Sequence, residues 1–528
     1  MPRTLHQMIV EAAQHRAESV AVRCGGESLL YGELLLRAGA VAHTLRDLGV
    51  RRQDRVAVLV GKGFAVPASF YGVLAAGATL VPIDPNSPVR QIVRILRAVG
   101  ARHLVTEPKR AGVVAEALGH CPDVAHVVGL EEIEGRDDVF CMPWNEVGTR
   151  HETELPDIAV LASDPSYVLH TSGSTGVPKL IRHTHSSAMS FVGWAADEYS
   201  LTPDDRLSNH ASHHTCFATF DFYAAAYAGA ATVVLTPAVL KMPGSLSALM
   251  ERERLSVWYS VPTALVQLSL RGVLEARDLS ALRWILFAGE TFPEKHLRRL
   301  RQQLPGARFS HVYGSTEVNV CTCYHLPEQE APSPLPIGRP CANAIADVVD
   351  EELRPVADGE EGELLICGDT VMSGYWNEPG ETAASSEQVF VRRPAGGGFE
   401  NVFFRTGDRV RRLADGNLTF GGRADDQIKV RGHRVELGEV ESALLSVEGV
   451  EHAAAFAVPD SEGSSKILAA VVGSVGSADT VVAQLRGRLP VHAVPSRVEL
   501  LDTLPRTPTG KVDRKALRRS ARTEERKG

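Results

Sequence analysis

A chain of 528 residues is too long for one ordinary domain, and with 44% hydrophobic residues it can bury more than one large core. Its formal net charge of −8, and the lack of a long basic run before the tail "RKALRRSARTEERKG", argue against a nucleic-acid or anionic-membrane partner. Its eight cysteines are scattered through the chain and read as reduced thiols, not as a disulfide frame.

The start, "MPRTLHQMIVEAAQHRAESV", lacks the apolar core of a signal peptide, and no stretch reaches the roughly 18 consecutive apolar residues of a membrane span. A cytoplasmic protein is expected. Helical patterns at "GELLLRAGAVAHTLRDLGV" and "PASFYGVLAAGA" then alternate with β-branched runs at "RVAVLV" and "TLVPID", which predicts α/β layers with parallel strands. The alternation returns at "ATVVL", "SLSALMERE", "VWYSV", "PTALVQLSLRGVL", "RWILFAG" and "EKHLRRLRQQL". Over 330–421, short strands broken by Gly, Pro and Asp-Gly predict a β-rich, hairpin-forming part, with "RRPAGGGFE" as an exposed loop insertion. Beyond it, a strand, a helix, a strand at "AAAFAVPD" and a last helix at "ADTVVAQLRGRL" predict a small α+β domain. The expected division is therefore 1–421 for a large N-terminal α/β domain and 422–528 for the small one.

Between the two α/β runs, the strand-like "SYVLH" leads into Thr171, Ser172, Gly173, Ser174, Thr175 and Gly176, with Lys179 close behind. Flexible linkers are seldom so short. Close-set backbone N–H groups and hydroxyls beside a lysine suit phosphate oxygens, and glycine permits the close approach. The Walker pattern is absent, since the GK pairs read "GKGF" and "TGKVD", and no dinucleotide GxGxxG occurs. The cradle must be of another kind. Metal ligation gains little support: Cys321 and Cys323 have no second cysteine pair at zinc-site spacing, and His210, His213 and His214 make a weak set.

With its later motifs the chain resembles the adenylate-forming superfamily, over nearly its whole length, and within it the adenylation domains of nonribosomal peptide synthetases. "LLYGEL" and "LAAGATLVPIDP" are similar to early motifs of that group, and "HTSGSTGVPK" to its phosphate loop. "VYGSTE" resembles its adenine and magnesium motif, and "FRTGD" its ribose motif. "GRADDQIKVRGHRVELGEVE" resembles the hinge and start of a mobile C-terminal lid, and "LPRTPTGKVDRKAL" the closing motif with its catalytic lysine. The resemblance implies a two-step ligation using ATP and Mg²⁺: a carboxylate attacks the α-phosphate, pyrophosphate leaves, and a thiol captures the acyl-adenylate. Such chemistry needs charge neutralisation and alignment.

By the same resemblance, Thr171 to Gly176 and Lys179 would hold the leaving phosphates, Thr316 the α-phosphate, and Glu317 the Mg²⁺. Tyr313 would stack on adenine, with Gly289, Glu290, His311, Gly314 and Ser315 completing the nucleotide site. Asp408 and Arg423 would hold the ribose, and Lys511 would bridge the reacting carboxylate and phosphoryl oxygen. The lid is expected to turn about Asp425 between steps, withdrawing Lys511.

Three departures are mild: Ser315 stands where proline is usual, His311 where asparagine is common, and Leu180 where glycine often follows the lysine. The fourth bears on the substrate. Cys216 falls where α-amino-acid activators carry the aspartate that meets the substrate's ammonium, and the rest of that pocket would be Phe217, Phe220, Tyr259, Leu286, Ala288, Val312, Val320 and Cys321. An ammonium buried without a carboxylate costs several kcal/mol. A small or flat acid without an α-amine is expected, with β-amino or other unusual amino acids as the alternative, the amine then held by Asp221 or Tyr259. "GHRVELGEVE" points to the phosphopantetheine arm of a carrier protein as acceptor, with CoA as the alternative. Because no carrier domain follows Lys511, that carrier is expected to be a separate protein. A non-catalytic nucleotide-binding protein is the remote third reading, weakened by the presence of Lys179, Glu317, Asp408, Arg423 and Lys511 together.

Overall fold

Val56, Ala57, Val58 and Leu59 in the strand Arg55–Leu59 are all fully buried. A strand covered on both faces needs no polar alternation, which is the pattern of a parallel sheet clad by helices. The computed structural model describes residues 2–147, 155–171, 178–376, 389–396, 399–423, 427–460, 465–506 and 512–525. Ser172, Gly173, Ser174, Thr175, Gly176, Asp425 and Lys511 lie outside the described residues.

Among the described residues, Arg55–Leu59 belongs to a seven-stranded sheet in the order Phe140–Met142, His126–Val128, His103–Thr106, Arg55–Leu59, Thr79–Pro82, Pro165–Thr171, Lys179–Thr184. Its pairings are parallel except for the last hairpin. A nine-stranded sheet runs Arg339–Pro340, Thr322–His325, Arg308–Tyr313, Trp284–Phe287, Val257–Ser260, Arg206–Asn209, Ala231–Val234, Val20–Cys24, Glu27–Leu30. It is parallel in its middle and antiparallel at both edges. One apolar core joins the two, with Val56, Leu80 and Tyr167 from the first sheet and Leu207, Tyr259 and Val312 from the second. The helices Tyr31–Asp47 and Ala65–Ala75 contribute to that core.

The β-rich part is an antiparallel sheet of Ala344–Val349, Glu361–Gly368, Phe390–Gly396, Phe399–Arg412 and Leu418–Arg423. Here the expected loop insertion is instead a hairpin. Phe390–Gly396 pairs with Phe399–Arg412 from Phe390↔Phe404 to Gly396↔Phe399, so residues 392–396 form one arm of it. In the small domain, the hairpin Gln427–Val430/His433–Glu436 leads into the helix Leu437–Leu445, and Val450–Pro459 pairs with Ser465–Gly473. Two elements lie beyond the expected last helix, Ala478–Leu485: the strand Arg497–Leu500, parallel to Ser465–Gly473, and the helix Arg514–Glu525. No helix among the described residues is long and apolar enough to cross a membrane.

Candidate active site

Parallel sheets expose loops at the carboxyl ends of their strands, and ligands bind there because backbone and side chains of several strands converge. Thr171, at the end of Pro165–Thr171, lines the cavity and pairs directly with Lys179 of the next strand. Cys216 and Phe217 follow Arg206–Asn209, Tyr259 lies in Val257–Ser260, Ala288 and Gly289 follow Trp284–Phe287, and Gly314, Ser315 and Thr316 follow Arg308–Tyr313. With Thr171, Val320, Asp408 and Arg423 these residues line one cavity, closed on the far side by Gln427, Lys429, Gly432, His433, Arg434 and Glu439 of the small domain.

The other expected pocket residues stand one layer back. Phe220 packs edge-on against Tyr259 at 5.4 Å between ring centroids. Leu286 and Val312 are buried in the main core, and Cys321 is buried with its thiol 3.5 Å from the Tyr313 carbonyl. Tyr313 donates its hydroxyl to Asp408, which also accepts from Arg423, its register partner across the sheet. His311 lies stacked on Phe287 at 5.0 Å with Nδ1 2.7 Å from the Pro336 carbonyl. Burial lowers its pKa to about 4, so it is a neutral hydrogen-bonding ring at physiological pH.

Charge pairs join the small domain to the core. Arg434 donates to both oxygens of Glu317, at 2.6 and 2.8 Å, and Glu317 is fully buried. Burial acts to raise the Glu317 pKa, but the Arg434 charge and hydrogen bonds outweigh it and hold the group at about 2. Lys179 pairs with Glu436 at 3.1 Å. Glu290 accepts from the Gly432 backbone N–H at 2.7 Å and from Thr263. Lys429 is held below its ordinary pKa by burial, with Asp408 pulling the other way. Cys216 is pushed up to about 11 by burial and stays a neutral thiol.

Residues 9–376 match the AMP-binding enzyme family and residues 439–511 its C-terminal domain. The chain belongs to the AMP-binding enzymes. It is 33% identical over 520 residues to an L-proline–[L-prolyl-carrier protein] ligase of Pseudomonas fluorescens, covering 98% of this chain and 99% of the relative. It is 36% identical over 522 residues to phosphinothricin tripeptide synthetase PhsC of Streptomyces viridochromogenes, covering 98% of this chain and 45% of that one. Among solved structures, the amide bond synthetase McbA from Marinactinospora thermotolerans superposes with a TM-score of 0.84 at 26% identity, over 98% of this chain and 99% of the other. This AMP-binding enzyme is an AMP-forming ligase that activates an amino or carboxylic acid.

The small domain of this AMP-binding enzyme turns its 427–439 segment and Pro490, His492 and Ala493 toward the cavity. The described neighbours of Lys511 pack elsewhere: Arg506 bridges to Val512, which lies against Phe456, Leu468 and Leu517, and none of these lines the cavity.

One buried charge pair escaped the sequence reading. Asp221 lies in a π-helical turn, Thr219–Ala224, fully buried, where it accepts from Asn209 Nδ2 at 2.9 Å and does not line the cavity. Lys62 Nζ donates to the Asn209 and His210 carbonyls, at 2.7 Å each. Burial raises the Asp221 pKa and lowers that of Lys62, and each charge opposes the shift of the other. A charge inside each of the apolar runs "LVGKGFAVP" and "TFDFYAAAYA" was the available signal. Together they tie down the backbone leading to Cys216. Lys62→Met leaves the buried Asn209 and His210 carbonyls without their donor and is expected to cost about 1–3 kcal/mol. A thermal unfolding midpoint equal to that of the parent would contradict this.

Proposed function

We propose that the chain forms an acyl-adenylate from ATP and a small or flat carboxylic acid lacking an α-amine, then passes the acyl group to the phosphopantetheine thiol of a separate carrier protein. The observation that carries the substrate class is the setting of Cys216. It is a neutral thiol on which the Lys429 ammonium acts first among charges and the Glu317 carboxylate, itself bonded to Arg434, acts less. The carboxylates that line the cavity among the described residues are engaged or distant in role: Asp408 holds Tyr313 and Arg423, Asp84 lies beside His214, and Glu439 belongs to the lid helix. Asp221 is turned to Asn209, and Tyr259 lies 4.5 Å from Phe217, ring to ring. A substrate ammonium would meet a thiol and a second ammonium, whereas a planar apolar acid would meet Phe217, Tyr259, Ala288 and Val320. The carrier is supported by the relative of matching length, an L-prolyl-carrier protein ligase.

The site fits ATP and Mg²⁺ in one respect that can be tested on its residues. Glu317 is a buried carboxylate, held ionised by Arg434, whose two oxygens face that cation. A hard divalent cation suits the same donor and, when bound, would neutralise charge on phosphate oxygens. Arg434 and such a cation cannot share Glu317, and Lys179 cannot serve phosphate while bonded to Glu436. Adenylation therefore calls for a second lid position, reached by rotation about Asp425, in which Arg434 and Glu436 withdraw and Lys511 enters. Thr171 to Gly176, Lys179 and Thr316 then face the phosphates, and Asp408, Arg423 and Tyr313 the nucleoside. The arrangement described above is the one for thiol capture.

Cys216→Asp tests the substrate class. It is expected to lower exchange with the preferred acid by at least about 10-fold, since it sets a carboxylate against an apolar acid, and to raise exchange with α-amino acids by a similar factor. An unchanged preference would sink the argument from Cys216. The acceptor is tested by comparing a holo-carrier protein with free CoA: transfer to the carrier should be faster, and faster transfer to CoA would make the chain a CoA ligase.

A further inference from the structure

Four imidazoles meet where the lid closes on the core. His170, in Pro165–Thr171, and His214, two residues before Cys216, stack with centroids 5.4 Å apart and 5° between planes. His433, in the lid hairpin, stacks on His492, in the lid turn Val491–Ala493, at 3.8 Å and 6°. All four line the cavity. His433 acts electrostatically on His214, and His214 and His170 act on His492, so the two pairs form one cluster. Inside it, His170 Nε2 and His214 Nδ1 are buried without a hydrogen-bond partner. Asp84 Oδ2 is 4.0 Å from His214 Nε2.

We infer that these four histidines are positioning residues for the thioester step, seating the lid against the core while they are uncharged and driving it off when they are charged. This rests on the two-step function proposed above. Buried imidazoles packed ring to ring, two of them with a ring nitrogen that has no hydrogen-bond partner, accept added protons poorly, because each new charge would be desolvated among like neighbours.

The direction with pH follows. Burial lowers His170 to about 4 and depresses His433, and in His492, at about 2, and in His214 repulsion from the neighbouring imidazoles adds to burial. Lid release exposes imidazoles to water, where they return toward about 6.5 and bind more protons. Docking is therefore fully favoured above about 6.5 and is lost as pH falls below it. At pH 5.5 each released imidazole weakens docking about ten-fold. The groups facing the cluster modify this without reversing it. Asp84 favours the charged rings, and Lys62, which acts on His213 beside His214, disfavours them. Glu439, raised by burial to about 7, favours docking as pH falls, one carboxyl against four rings.

Small-angle X-ray scattering of the substrate-free chain at pH 7.5 and 5.5 tests the docking itself. The wild type should expand at pH 5.5, the His433→Phe/His492→Phe double variant, which keeps stacked rings and removes two of the four proton sites, should expand less, and His492→Lys should be expanded at both. Alongside, thioester formation on pantetheine, using whichever of benzoate, propionate, glycolate, β-alanine or L-proline gives the fastest exchange, should fall between ten-fold and about 100-fold further in the wild type than in the double variant between these pH values. The loss of thiolate with pH is common to both and cancels. Wild-type scattering unchanged by pH, or a double variant that follows the wild type, would overturn the inference. Adenylate formation by the wild type without thioester on any thiol would instead overturn the two-step function, while the scattering would still decide the docking.

Discussion

Glu317→Gln is expected to lower acid-dependent ATP–pyrophosphate exchange by about 10³-fold. The glutamine keeps the shape of the side chain and removes the negative charge, so the effect isolates the electrostatic role. Glu317 is fully buried, and with Arg434 docked its pKa is about 2, so the docked site holds it as an anion. Taking that charge away removes a buried carboxylate suited to a divalent cation. It also leaves Arg434, bonded to both carboxylate oxygens in the docked lid, without its counter-charge. Breaking such a pair costs about 3–5 kcal/mol in the docked arrangement, so thioester formation should fall as well. Exchange within ten-fold of the parent would remove Glu317 from the phosphate chemistry.

Gly432→Ala separates the steps in the opposite sense. Gly432 has φ +80°, and an added Cβ would stand 2.2 Å from Cγ1 of Val261 in the core. Its N–H also donates to Glu290 at 2.7 Å. A side chain is strained in this backbone conformation and collides with a β-branched neighbour that begins the helix Pro262–Arg271, so the lid must back away. A displacement of about 1 Å at a reacting centre costs roughly 10²-fold. Thioester formation should fall by about that factor while ATP–pyrophosphate exchange, which uses the other lid position, stays within a few-fold. Equal loss of both rates would mean that the contact matters to the whole site.

Much of the core is written in runs that can be read one at a time. "RVAVLV" and "RWILFAG" are strands because β-branched and aromatic residues buried on both faces suit a parallel sheet, and they appear as Arg55–Leu59 and Trp284–Phe287. Arg497–Leu500 is harder to see: of "RVEL" only Val498 is buried, so no alternation announces a strand, and its place comes from pairing with Ser465–Gly473. The same holds for the site. Thr171, Cys216, Gly314 and Asp408 were legible because each sits in a short motif whose residues act together, and all four line the cavity. The pairs Lys179–Glu436, Glu317–Arg434 and Lys62 with the Asn209 carbonyl were not, because their partners lie far apart in the chain, 257 residues for the first, and only lid docking or sheet packing brings them together. The histidine cluster draws on four separate segments for the same reason.

The most direct measurement is acid-dependent ATP–pyrophosphate exchange across α-amino, β-amino, hydroxy, aryl and short aliphatic acids, with Lys511→Ala as the control. An adenylating enzyme with a neutral thiol at Cys216 should exchange with acids that lack an α-amine and lose that activity in the control. Strong exchange with an ordinary α-amino acid such as L-proline would contradict the substrate class while keeping the adenylation chemistry, and no exchange with any acid would contradict both.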